Sequence, residues 1–150
     1  MGGVVLLQYR IEEIAKRTGM TRRTLRYYED QGLLAPPVRS SGGFRLYSEE
    51  DVVMVNRIKE LRETMGFNLG EVRQILELER IVDYLREHCR EMPPGQRLEQ
   101  LNGAMRDAQA LLQLVDEKVQ SINKLREFWE HKMEKYRVYH RELLELLKKE

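Results

Sequence analysis

"YRIEEIAKRTGMTRRTLRYYEDQGLL", residues 9–34, carries two short helical patterns with glycine at the end of each. Ile11, Ile14 and Ala15 fall on one face of the first pattern, which stops at Gly19. Thr21 is placed to cap the second helix, and Gly32 to close it in the position that follows a helix end. Two short helices joined by a tight, glycine-containing turn have the form of a helix-turn-helix. On a helical wheel Arg22, Arg23, Arg26 and Tyr27 share one arc of about 140°, and Leu25 and Tyr28 lie opposite. The adjacent tyrosines are therefore predicted to do different work. Tyr27 goes with the arginines toward a partner, and Tyr28 goes to the core.

Working outward, "APPVRSSGGFRLY" (residues 35–47) cannot be helical, because two prolines and Ser-Ser-Gly-Gly precede the β-formers Phe44, Leu46 and Tyr47. This predicts a small β-hairpin with its tip at Ser40–Gly43, flanked by Arg39 and Arg45. Ser48, with Asp51 three residues on, signals the start of a helix reaching Met65, with Val52, Val55, Ile58, Leu61 and Met65 inward. Gly66 stops it, and Asn68 caps a short helix that buries Leu69, Val72, Ile75 and Leu76. A separate helix is expected over about Leu78–Glu91, with the stripe Leu78, Ile81, Val82, Leu85 and Cys89, broken by "MPPG".

From Leu98 the spacing becomes heptad. The a positions are Leu98, Met105, Leu112, Val119, Arg126, Met133, His140 and Leu147. The d positions are Leu101, Ala108, Val115, Ile122, Trp129, Tyr136 and Leu143. Thirteen of these fifteen are apolar, which predicts a coiled coil. Such a stripe needs a partner helix, most simply a second copy of the chain. A fold-back of the last twenty residues, 131–150, is the alternative, although nothing in the sequence makes a turn for it.

Overall composition excludes little, since the net charge is only +1. Its distribution says more. Lys16 to Tyr47 holds seven basic residues against two acidic ones, whereas Leu78 to the end balances fourteen against fourteen. A compact basic segment on a neutral remainder fits a phosphate-facing module. No run approaches a membrane span. "VVLL" (residues 4–7) lacks the basic leader and length of a signal peptide and reads as a strand or tail. A single cysteine fits a reducing cytoplasm, the expected location. No nucleophile–base pair, paired carboxylates, phosphate loop or metal-ligand spacing occurs, so neither an enzyme nor a bound cofactor or metal is expected.

The elements "TLRYYE", "GLL-x-P" and "G-[aromatic]-R-x-Y", in this order over about Tyr9 to Leu76, resemble the DNA-binding domain of the MerR family of bacterial transcriptional regulators. Phe44 stands where that family usually has tyrosine; it loses a hydroxyl and keeps the ring. The resemblance implies a mainly α fold: a winged helix-turn-helix with a small β-hairpin wing, followed by a long dimerisation helix in an antiparallel coiled coil. It also implies a homodimer on an inverted-repeat operator within a promoter, acting on RNA polymerase indirectly by bending and untwisting that double-stranded DNA in response to an effector. The alternative within the family is an effector-independent repressor or architectural protein. By position in the motif, DNA contacts are expected from Arg22, Arg23, Arg26 and Tyr27, from Arg39, Arg45 and Tyr47 of the wing, and from Lys59, with Lys16 and Arg17 as further phosphate contacts. The expected division is 1–77 for DNA binding, 78–97 for a connecting helix and Pro/Gly linker, and 98–150 for the dimerisation helix. Dimer contacts are expected from Leu112, Val115, Val119, Ile122, Trp129, Met133 and Tyr136.

What the chain senses is open at this level. Cys89 is either a core cysteine continuing the stripe from Leu85 or a redox sensor. One thiol is too few for a soft-metal site within one subunit. Trp129 and Tyr136, among the late aromatics, either pack in the coil or line an apolar pocket for an unidentified small-molecule effector. A reading of another class, a coiled-coil adaptor whose basic module meets an acidic protein, predicts no sequence-specific duplex binding.

Overall fold

The computed structural model describes residues 8–148, and Val4–Leu7, read above as strand or tail, lies outside them. The chain divides into two compact units, Met1–Glu77 and Leu78–Glu150.

In the first unit, strand β1 (Tyr9–Arg10) runs directly into α1 (Ile11–Thr18), followed by α2 (Arg22–Asp30). The wing is β2 (Val38–Arg39) and β3 (Arg45–Tyr47), and α3 (Glu49–Lys59) follows. β3 is the central strand of a three-stranded antiparallel sheet in the order β1-β3-β2. Tyr9 and Arg10 pair with Tyr47 and Leu46 on one side, and Val38 and Arg39 pair with Leu46 and Arg45 on the other. The short strand at Tyr9 is absent from the sequence reading, because two residues carry no alternation to detect.

The punctuation read from sequence is the punctuation observed. Gly19 ends α1 at φ 70°, a conformation in which glycine escapes the Cβ penalty. Thr21 Oγ1 accepts from the Thr24 amide at 3.0 Å, and Gly32 follows α2 at φ 69°. Ser48 and Asp51 exchange both bonds of a capping box, as do Asn68 and Glu71. Ile14, Leu25, Val55, Ile58 and Val72 have no exposed surface, and each such side chain contributes roughly 1.5–3 kcal/mol by leaving water.

Two expectations need correction here. The helix that starts at Glu49 does not stay regular to Met65; Glu60–Thr64 form a π turn, in which the Met65 amide reaches back to the Glu60 carbonyl at 3.1 Å. That extra residue rotates the register, leaving Met65 45% exposed and putting Phe67 into the core instead. Nor do two helices meet near residue 77. One helix, α4 (Leu69–His88), runs unbroken across the boundary between the units, because neither glycine nor proline interrupts "QILELERIVDYLREH". Leu76 and Leu78 are both buried although about 200° apart on the wheel, so the buried side of α4 changes along its length.

In the second unit, α4 ends in a 3₁₀ turn at Cys89–Glu91, and α5 (Pro94–Leu147) then continues for 54 residues. Met92 and Pro93 separate this turn from α5, so the helix break read from sequence falls there. Pro94 begins the helix four residues before the heptads do, at a position where its missing N–H costs nothing. Arg97 Nη2 donates to the carbonyls of Arg90 and Met92, both at 3.1 Å, closing the turn. α5 does not fold back through Leu147. Among its a and d positions, Leu98, Leu101, Met105, Leu112, Val119, Ile122, Trp129, Met133, Tyr136, Leu143 and Leu147 are all exposed. Within the described residues no helix is long and apolar enough to cross a membrane.

Candidate nucleic-acid interface

The wheel separates the tyrosines as expected: Tyr27 is 49% exposed, Tyr28 is 5% exposed, and Leu25 is buried beside Tyr28 on the inner face of α2. Arg22, Arg23 and Arg26 are exposed on the outer face. Arg22 makes one surface contact, Nη1 to Glu12 Oε1 at 3.2 Å, of the weak, exchangeable kind. Arg23 and Arg26, and Lys16 on α1, make no hydrogen bond or ion pair among the described residues. At the wing tip Arg39 Nη1 donates to the Gly43 carbonyl at 3.1 Å and remains exposed. Between α2 and the wing lies a recess of about 390 Å³ lined by Arg10, Glu12, Arg26, Phe44 and Arg45, among others. The Arg10 guanidinium stands 5.0 Å from the centre of the Phe44 ring.

The remaining basic candidates are already engaged within the protein. Arg45 Nε donates to Glu29 Oε2 at 3.0 Å, and the Tyr47 hydroxyl donates to Glu29 Oε1. Tyr47 is 1% exposed, so its side chain is not offered to a duplex, contrary to the sequence reading. Burial, and next the bond to Glu29, raise its phenol well above the usual tyrosine range. Lys59 Nζ donates to the Thr18 carbonyl at 3.1 Å, where the carbonyl end of α1 favours a cation. Arg17 grips Glu49 through two bonds, with its guanidinium 4.4 Å from the centre of the Tyr9 ring. The Tyr9 hydroxyl donates to the same carboxylate at 2.7 Å.

Glu29 was therefore missed as a site residue, although the sequence holds a signal for it. On the wheel it falls only about 20° from Arg22, an acid within an arginine arc, and an acid placed there calls for a basic partner. In the second unit Cys89 is a half-buried free thiol, and Trp129 and Tyr136 are exposed. Among the described residues no three or more His, Cys, Asp or Glu side chains are grouped to hold a metal ion.

A capped helix bearing unengaged arginines, set beside a two-stranded wing within a three-stranded sheet, defines a winged helix-turn-helix of the DNA-reading class. Residues 9–79 match the family of MerR HTH family regulatory proteins. HTH-type transcriptional regulator YfmP of Bacillus subtilis is 34% identical over 119 residues, covering 79% of this chain and 85% of YfmP. The chain belongs to the MerR family of helix-turn-helix regulatory proteins. It is a DNA-binding transcriptional regulator, of a non-enzyme class. Nodulation protein NolA of Bradyrhizobium elkanii is 46% identical over 82 residues, which is 54% of this chain but 37% of NolA, so the match spans little more than a third of that protein. Among solved structures, HiNmlR, a MerR family regulator lacking the sensor domain and bound to promoter DNA, is similar at a TM-score of 0.48 with 20% identity, covering 76% of this chain and 80% of HiNmlR.

Proposed function

We propose that this chain acts in the cytoplasm as a homodimer that binds an inverted-repeat operator in promoter DNA and answers an effector by bending or untwisting that DNA. The observation that carries the reading is the α5 stripe. Eleven large apolar side chains at a and d positions lie exposed along a 54-residue helix, and burying them against a second copy in an antiparallel coiled coil removes that surface from water. A twofold dimer presents two copies of the α2 arginine face, and two identical readers related by a twofold axis match an inverted repeat.

The contacts assigned to DNA are Arg22, Arg23, Arg26 and Tyr27 of α2, Arg39 at the wing tip, and Lys16. Arginine forks suit guanine edges or phosphates, and the Tyr27 hydroxyl suits a phosphate. Deforming the DNA between two half-sites costs on the order of a few kcal/mol, a range that differential effector affinity for two states of the dimer covers. RNA polymerase enters only through the promoter so reshaped.

Two measurements test this. Sedimentation of the full chain should give a dimer. Footprinting on the DNA upstream of its own coding sequence should reveal a symmetric protected site whose affinity falls steeply with salt. A monomer, or binding to all duplexes alike, would overturn it.

A further inference from the structure

Glu29 occupies the arginine arc of α2, yet its carboxylate is turned inward. Its side chain is only 8% exposed, against 32% for Arg45. The two oxygens are divided between two residues of β3: one takes Arg45 Nε at 3.0 Å, the other the hydroxyl of buried Tyr47. The result is a closed bracket from the DNA-reading helix to the central strand of the wing sheet. It is also a competitor for the wing's charge. The bond from Nε fixes the direction of the Arg45 guanidinium, and swinging it away from that direction onto a phosphate would leave a mostly buried carboxylate without its cation, an expensive arrangement. Among the described residues the wing's other arginine, Arg39, has no carboxylate partner and meets only the Gly43 carbonyl.

We propose that Glu29 is a positioning residue that sets the sequence selectivity of this DNA reader, by holding Arg45 off the sugar–phosphate backbone and fixing the wing against α2. The proposal rests on the reading of α2 and the wing as the DNA face. Its logic is that phosphate contacts carry no sequence information. An arginine released onto the backbone strengthens binding to every duplex alike. It also loosens the coupling between the wing and the side chains that read bases. Holding Arg45 gives up general affinity and keeps discrimination.

The test uses the full chain with Glu29→Gln, which preserves volume and an oxygen for the Tyr47 hydroxyl while removing the charge that holds Arg45. Two duplexes serve as probes: the tightest binder selected by the wild-type chain from a random-sequence pool, and a scrambled duplex of equal length. Dissociation constants are measured over a salt series. In the variant, the slope of log affinity against log salt should steepen by about 1.8, about 0.9 for each protomer of the dimer, equivalent to roughly a further twelvefold change in affinity for each fourfold change in salt. Affinity for the scrambled duplex should rise, and the ratio of selected to scrambled affinity should fall. Adding Arg45→Met to Glu29→Gln should restore the wild-type slope, because the gained contact belongs to Arg45. A role in folding alone would weaken both duplexes in proportion with an unchanged slope, and that result overturns the proposal. Should Glu29→Gln fail to fold by circular dichroism, Arg45→Met alone decides: a slope unchanged from wild type supports the proposal, and a slope flatter by about 1.8 for the dimer makes Arg45 a resident phosphate contact and overturns it. A wild-type chain that prefers no duplex would instead sink the operator-binding function itself.

Discussion

Arg17 and Glu49 form a two-pronged ion pair: Nη1 meets Oε2 and Nη2 meets Oε1, each at 2.7 Å. The pair joins the last turn of α1 to the first turn of α3, so the cation sits at a helix C-terminus and the anion at a helix N-terminus, where each backbone dipole favours it. A basic residue that the motif alone would hand to DNA is thus part of the scaffold that holds the helix-turn-helix to the next helix.

This pair gives a pH dependence with a defined sign. The Glu49 carboxyl is held below its ordinary 4.5, first by the bond from Arg17 and then by that from the Tyr9 hydroxyl. A folded value below the unfolded one stabilises the fold above the ordinary carboxylate range, and that contribution is lost as pH falls through the lower, folded value. The melting temperature of wild type should therefore exceed that of Glu49→Gln near neutral pH, and the gap should close on acidification below about pH 4. The gap will be small, because the two side chains are 40% and 52% exposed. Parallel melting curves across that range would contradict it.

Arg26→Ala should leave the melting temperature unchanged, since Arg26 is exposed without a hydrogen bond or ion pair among the described residues. Its DNA affinity should fall about tenfold or more. If Arg26 reads a base edge the loss is about 1–3 kcal/mol per half-site and falls on one base position in each; if it meets a phosphate, all duplexes lose alike and the salt slope drops by about 1.8 for the dimer. Fluorescence anisotropy with a labelled operator separates these, and an unchanged affinity removes Arg26 from the interface.

The inner face of α2 should behave in the opposite way. Leu25→Ala empties a site with no exposed surface and should cost about 2–5 kcal/mol in urea unfolding. Tyr28→Phe keeps the buried ring and deletes a hydroxyl with no hydrogen bond among the described residues, so its cost should stay below about 1 kcal/mol. A Tyr28→Phe cost comparable to that of Leu25→Ala would mean the hydroxyl has an essential partner.

Val119→Glu combined with Ile122→Glu should turn the expected dimer into a monomer in sedimentation equilibrium. Both side chains are exposed on α5, so the isolated protomer gains no strain from the change and should keep its helical circular dichroism. A dimer that survives both substitutions would move the subunit contact off the a and d stripe.

Much of the DNA-binding unit was legible because it is written locally. Gly19, Thr21, Gly32, Ser48 and Asn68 each act within a turn of their own position, and the tyrosines separate by helical geometry alone. What was not legible depends on partners far along the chain. Arg45 meets Glu29 across 16 positions, Arg17 meets Glu49 across 32, and Lys59 meets Thr18 across 41. A sequence displays each of these cations as charge and conceals that it is already engaged. Seven basic residues in one segment therefore overstate the number available to a duplex, and the unengaged set centres on Arg23, Arg26 and Lys16. The fusion of two expected helices into α4 escaped for another reason: the buried side changes along one helix, which in sequence looks like an end.

The π turn at Glu60–Thr64 has a consequence in terms of chain length. A π turn is a helix holding one residue more than its hydrogen-bond pattern needs, so shortening the segment by one should return it to ordinary α geometry. The residues beyond the cut would swing by about 100°, bringing Met65 toward the core and turning Phe67 out. The joint between α3 and α4 is in this sense counted rather than shaped, and a deletion of one residue would disturb it more than most substitutions at the same place.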